Sequence, residues 1–221
     1  MRYAFRTLLG LGLVVMLAVP AAAQQGRGGG RFGGGNLAQL LGNSGVQKEL
    51  KLDDKQVDQA KELAEKTSEK MREARQSFQG LDQEERRTKQ QELNREINAS
   101  TLKAAGEFLK PEQVVRLKQI SYQVRGIQAF SDPEVQQKLN LTDSQKSDIQ
   151  AIARESMEET RGLFSQDQSP EERQAAMKKI TELRKQALTK VEAKLNDEQQ
   201  KTWKELIGAP FEYRPDPRPN N

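Results

Sequence analysis

Leu141-Thr142-Asp143-Ser144-Gln145 occurs in three further versions along this chain, and its reading decides the fold. Leu52-Asp53-Asp54-Lys55-Gln56, Leu109-Lys110-Pro111-Glu112-Gln113 and Leu195-Asn196-Asp197-Glu198-Gln199 keep the leucine and the glutamine in place. Thr142 and Gln145 have the spacing of a capping box. The hydroxyl accepts from the backbone N–H of Gln145, and the glutamine reaches back to the N–H of Thr142. Asp53 with Gln56 and Asn196 with Gln199 repeat it with other good N-cap residues. Lys110 is a weaker cap, offset in part by Pro111 at the first helical position. The leucine stands where a hydrophobic staple begins, which sets Leu52 against Val57 and Leu109 against Val114. Lys146 and Gln200 follow Leu141 and Leu195 at that spacing, so those two leucines are expected to pack on a neighbouring helix.

Working outward, the chain is written twice. Gln39 to Leu50 aligns with Gln128 to Leu139, 89 positions on, and Leu52 lands on Leu141 without a gap. After a short deletion near Phe78 and Phe164, Glu84-Glu85-Arg86 lands on Glu171-Glu172-Arg173. Leu109 to Gln113 then lands on Leu195 to Gln199. The units are residues 37–125 and 126–208. Val57, Ala60, Ala64, Thr67, Met71, Ala74 and Phe78 step by three and four, the apolar seam of a helix of about 25 residues and roughly 38 Å. Leu93, Ile97, Thr101, Ala104 and Phe108 mark the next helix, and Leu117, Ile120, Val124 and Ile127 a third. Ile149, Ile152, Ser156, Thr160 and Leu163, then Ala176, Ile180, Leu183, Ala187 and Val191, repeat the first two. Trp203, Leu206 and Ile207 end the last. No useful length alternates with period two, so the expected fold is all-α: elongated antiparallel long-helix hairpins in two tandem units.

Apolar content of 34% against 31% charged residues supports only a thin core, which suits a narrow helical seam. Residues 1–23 read as a signal peptide. Arg2 and Arg6 precede the apolar run Thr7 to Val19, and Ala21-Ala22-Ala23 sets cleavage before Gln24. A periplasmic or otherwise exported protein without stable membrane insertion is expected. Residues 24–36 hold seven glycines and read as a flexible tether. Residues 209–221 alternate proline with polar residues and read as a disordered tail. Cysteine and histidine are both absent. That removes disulfides, Cys or His nucleophiles, Ser-His-Asp triads and nearly all zinc sites. Net charge is +4, and the signal peptide supplies +2 of it, too little for a dedicated nucleic-acid binder. Adjacent acids such as Asp53-Asp54 and Glu84-Glu85 sit at caps or on different faces. No catalytic residue, metal or cofactor is expected, and the chain reads as a non-enzyme.

Leu139-Asn140-Leu141-Thr142-Asp143-Ser144-Gln145-Lys146, the Glu-Glu-Arg segment and Leu195-Asn196-Asp197-Glu198-Gln199-Gln200 together resemble the Spy/CpxP family. These are periplasmic, ATP-independent chaperones and envelope-stress proteins defined by paired LTxxQ motifs. Glu84-Glu85-Arg86-Arg87 extends the resemblance to the first unit, where Asp53 replaces the motif threonine. It covers most of residues 46–207. It implies a cradle of long, thin helices whose concave face binds unfolded clients through apolar and basic groups. Family members usually dimerise. Two units in one chain imply a monomeric pseudo-dimer or a homodimer. Without histidine, the His-based zinc binding of the metal-responsive relatives does not carry over.

The leading expectation is therefore a holdase-like chaperone for unfolded or misfolded exported proteins. Candidate client-binding residues are Met71, Arg72, Arg75, Phe78, Arg86 and Arg87, with Met157, Arg161, Leu163, Phe164 and Arg173 in the second unit. A methionine or phenylalanine at seam spacing is more often core, and an arginine on a polar helix is usually just solvated. The alternatives are a regulatory module that docks on the exported domain of an envelope stress sensor, or a non-catalytic helical spacer.

Overall fold

The computed structural model describes residues 36–163 and 168–216. The expected signal peptide, the glycine-rich segment through residue 35, Phe164 and residues 217–221 lie outside them. The described residues are all-α, with no strand among them. The first run of helices is α1 (Leu37–Leu41), α2 (Ser44–Glu49), α3 (Asp54–Ser77), α4 (Gln83–Ala105) and α5 (Pro111–Arg125). A 3-10 turn (Gly126–Ser131) follows, then α6 (Pro133–Lys138), α7 (Asp143–Arg161), α8 (Pro170–Glu192) and α9 (Asp197–Ile207). The 3-10 turn, α6 and α7 begin 89 positions after α1, α2 and α3. The spacing is 87 from α4 to α8 and 86 from α5 to α9.

The helix starts follow from the caps. Asp53, Thr142 and Asn196 accept from the N–H of Gln56, Gln145 and Gln199, and each glutamine answers its cap's N–H. Asp82 with Glu85 and Ser169 with Glu172 start α4 and α8 the same way. Lys110 makes no side-chain cap, yet Gln113 Oε1 still accepts from its N–H at 2.8 Å.

The leucine at positions 52 and 141 has a role that the staple reading missed. Lys51 and Asn140 take left-handed backbone angles, φ 51° and 48°. Their N–H groups bond to Lys48 and Gln137 carbonyls, while Leu52 and Leu141 N–H bond to Gln47 and Gln136 carbonyls, all at 3.0 Å. This is a Schellman ending for α2 and for α6, and the leucine is the apolar residue that closes it.

Each long pair is an antiparallel hairpin. Lys70 bonds Glu96 at 2.7 Å across α3 and α4. Lys190 bonds Glu155 at 3.0 Å and Lys194 bonds Asp148 at 3.1 Å across α7 and α8. One core gathers at the base of the first hairpin, from Leu37, Leu40, Leu41, Val46, Ala60, Leu109, Leu117 and Ile120 among others. The second gathers Tyr122, Phe130, Val135, Leu139, Ile149, Val191 and Trp203. The Phe130 and Trp203 rings lie 4.3 Å apart between centroids.

Four expectations change. The seam of α4 buries Ala105 completely, whereas Ala104 is half-buried. The third helix does not run to Ile127: it stops at Arg125, and Gly126 at φ 53° turns the chain into the 3-10 segment. The tail is not disordered through 209–216. Phe211 and Tyr213 pack on the first core, and Asn43 Nδ2 donates to the Arg214 carbonyl at 2.9 Å. Alternating prolines hid two aromatic rings with a surface to lie on. Asn36, placed in the tether, is instead the N-cap of α1.

Candidate functional site

The motif glutamines do more than cap. Gln56 Nε2 donates to Gln113 Oε1 at 2.8 Å, and Gln113 Nε2 donates back to Gln56 Oε1 at 3.1 Å. The second N–H of each amide goes to a carbonyl that ends another segment, Phe108 at 2.9 Å and Leu50 at 3.1 Å. Gln145 and Gln199 repeat the arrangement. Their mutual bonds are 2.7 and 3.0 Å, and they donate to the Lys194 and Leu139 carbonyls at 2.9 and 3.0 Å. Each amide therefore meets both donors and its oxygen two N–H groups, which is what a buried glutamine needs. Both clasps stand at the base of a hairpin, beside the cores. The residues Leu52, Asp53, Gln56, Leu109, Gln113, Leu141, Thr142, Gln145, Leu195, Asn196 and Gln199 thus form two structural braces. Leu109, Leu141 and Leu195 are buried and Leu52 is half-buried.

The expected client-binding residues fall at the other end of the hairpins. Between Thr67 on α3 and Leu93 on α4 no residue is buried. Between Ser156 on α7 and Ala176 on α8 no described residue is buried either. Met71 and Phe78 are half-buried in the thin seam, and the Met71 sulfur accepts from Asn36 Nδ2 at 3.0 Å. Leu163 is half-buried, and Met157 is 53% exposed. Arg72, Arg75, Arg87, Arg161 and Arg173 are exposed and hold no ion-pair partner among the described residues. Arg86 is exposed and donates to the Leu81 carbonyl at 2.8 Å.

The first tip is charge-balanced rather than basic. Arg72, Arg75, Arg86, Arg87 and Lys89 are matched by Glu73, Asp82, Glu84, Glu85 and Glu92 on the same stretch. Val115 on α5, 56% exposed, was not singled out from the sequence, and nothing in the structure explains its exposure.

A polar cluster at the α5–α6 junction also escaped sequence reading. Glu134 meets Lys118 at 2.8 Å and Lys138 at 3.1 Å, and Arg125 meets Asp132 at 2.9 Å. Burial pushes the Glu134 carboxyl up, but the hydrogen bonds and charges of Lys118 and Lys138 outweigh it and leave it below the usual range. Burial, with the Glu134 and Asp132 charges behind it, lifts the Tyr122 phenol well above its ordinary value. The cluster ties α5 to α6.

A hollow beside α7, lined by Ile127, Phe130, Gln136, Lys146 and Ile149 among others, holds about 50 Å³. Pockets for organic ligands run to roughly 300 Å³ or more. Among the described residues no group of three or more His, Cys, Asp or Glu side chains is placed to hold a metal ion. No described helix is long and apolar enough to cross a membrane. Neither a family model, nor a curated protein, nor a solved structure matches this chain.

Proposed function

We propose that this chain is an exported, ATP-independent holdase-like chaperone, a tandem relative of the Spy/CpxP proteins. The observation that carries the reading is the contrast within each hairpin. The base is closed by a core and a glutamine clasp, while the tip, residues 68–92 of the first hairpin and 157–175 of the second, has no buried residue among those described. Half-covered apolar side chains such as Met71, Phe78 and Leu163, with the exposed Met157, offer contact to an unfolded chain without a preformed pocket. Methionine suits such a role because its unbranched side chain adapts to varied partners. The interleaved acids make the long-range pull of the tip arginines small, so apolar contact dominates and salt weakens holding only slightly.

The test is light scattering from a chemically denatured client diluted into buffer without ATP. Residues 24–221 should suppress aggregation, and Met157→Glu should reduce that suppression while leaving thermal unfolding unchanged. No suppression across several unrelated clients would sink the reading. Saturable binding to one envelope partner would then point to the regulatory module.

A further inference from the structure

Residues 209–216 have no helix or strand, none of them is buried, and they lie on the first core through Phe211 and Tyr213. Most of their hydrogen bonds to the rest of the protein involve main-chain atoms of this segment. Gln123 Oε1 accepts from the Phe211 N–H at 2.8 Å. Gln123 Nε2 and Arg116 Nη1 donate to the Ala209 carbonyl at 2.8 and 2.9 Å, and Asn43 Nδ2 to the Arg214 carbonyl at 2.9 Å. Only Asp216 is read by its side chain, accepting from the Ser44 N–H at 2.9 Å and Oγ at 2.6 Å. Glu212 and Arg214 face away from these groups and pair with each other at 2.9 Å, fully in solvent.

Main-chain contacts of this kind do not depend on which residues the segment carries. The rings and the carboxylate set the only pattern: two aromatics one residue apart, then an acid three residues beyond the second. Two half-covered rings and six hydrogen bonds offset the ordering of the whole segment. It leaves the last helix at a glycine with positive φ. Gly208 has φ 62°, and a Cβ there would run into the Gln119 side chain.

We propose that this surface, formed by Asn43, Ser44, Arg116 and Gln123 over the first core, is a peptide-binding groove. The tail is its internal ligand, displaced by extended segments of the same aromatic-x-aromatic, acid-following pattern. The groove is separate from the arm tips and stands whether or not those hold clients.

A fluorescein-labelled peptide of residues 208–216 is titrated into the full chain and into Phe211→Ser/Tyr213→Ser, with anisotropy as readout. The own tail competes, so the variant should bind saturably and about tenfold more tightly than the parent. Gln123→Ala added to the variant should abolish binding. A variant that keeps its helicity and cooperative melting yet binds no peptide overturns the proposal. If the variant loses its fold, amide hydrogen exchange of the parent decides. The Phe211 N–H should exchange about a hundredfold faster than that of Ile97, by local release. Exchange at the rate of Ile97 would make the tail a fixed part of the core and overturn the proposal.

Discussion

Gln56 and Gln113 hydrogen-bond to one another in both directions, the amide nitrogen of each to the oxygen of the other, across the base of the first hairpin. The pair joins the first turns of α3 and α5, and through Phe108 and Leu50 it also ties down the segments that lead into them. Gln113→Leu would leave one Gln56 donor, the Leu50 carbonyl and the Lys110 N–H unsatisfied. We expect a loss of about 2–4 kcal/mol, with the Gln56→Leu/Gln113→Leu double variant costing less than the sum of the singles by about 1–2 kcal/mol. Urea unfolding of the four-member cycle measures it. Additive losses would mean that the two amides act independently.

Lys51 carries a side chain in the left-handed region where glycine is the usual occupant. Lys51→Gly should raise stability by about 0.5–1 kcal/mol, because the relieved clash exceeds the added freedom of the unfolded chain. Asn140→Gly should change it by only about a few tenths, since asparagine tolerates this conformation. Thermal midpoints of the two variants make the comparison.

Thr101 is 1% exposed on α4, and its hydroxyl has no hydrogen-bond partner. The isosteric Thr101→Val removes an orphaned polar atom and keeps the volume. Stability should increase by about 1 kcal/mol. A decrease in the denaturant midpoint would show that the hydroxyl does find a partner.

Glu134 sits below the ordinary carboxylate range in the folded state, so its ion pairs stabilise the protein above its unfolded pKa of about 4.3. That contribution is lost as pH falls through the lower folded value. Its side chain is 36% exposed, which limits the gain to about 0.5 kcal/mol after screening. The melting difference between the parent and Glu134→Gln should be visible at pH 7 and close by about pH 3. A difference that persists in acid would place the effect in packing instead.

The helical class, the antiparallel hairpins and most seam residues could be read from three-and-four spacing, because that spacing depends on local geometry alone. Ile97, Ile180 and Val191 are buried where the pattern put them. The capping boxes were legible for the same reason. The glutamine clasps were not, since Gln56 and Gln113 meet only once both helices are folded and packed. Four glutamines at recurring positions were the available signal, and capping seemed to account for them. Phe211 and Tyr213 were hidden by composition: prolines predict an extended chain, and an extended chain can still lie on a surface. The candidate tip residues lie toward the turn of each hairpin, where acids interleave with the arginines of the first unit.

The spacing between corresponding helix starts falls from 89 to 87 across the hairpin turn and to 86 before the last helix, while both clasps keep the same bonds. A pair of helices bolted together at one end can be lengthened or trimmed at the other without disturbing the join. Each arm is in that sense a ruler with a fixed zero. The two hairpins differ in reach, and the bonds at the bolted end are the same in both.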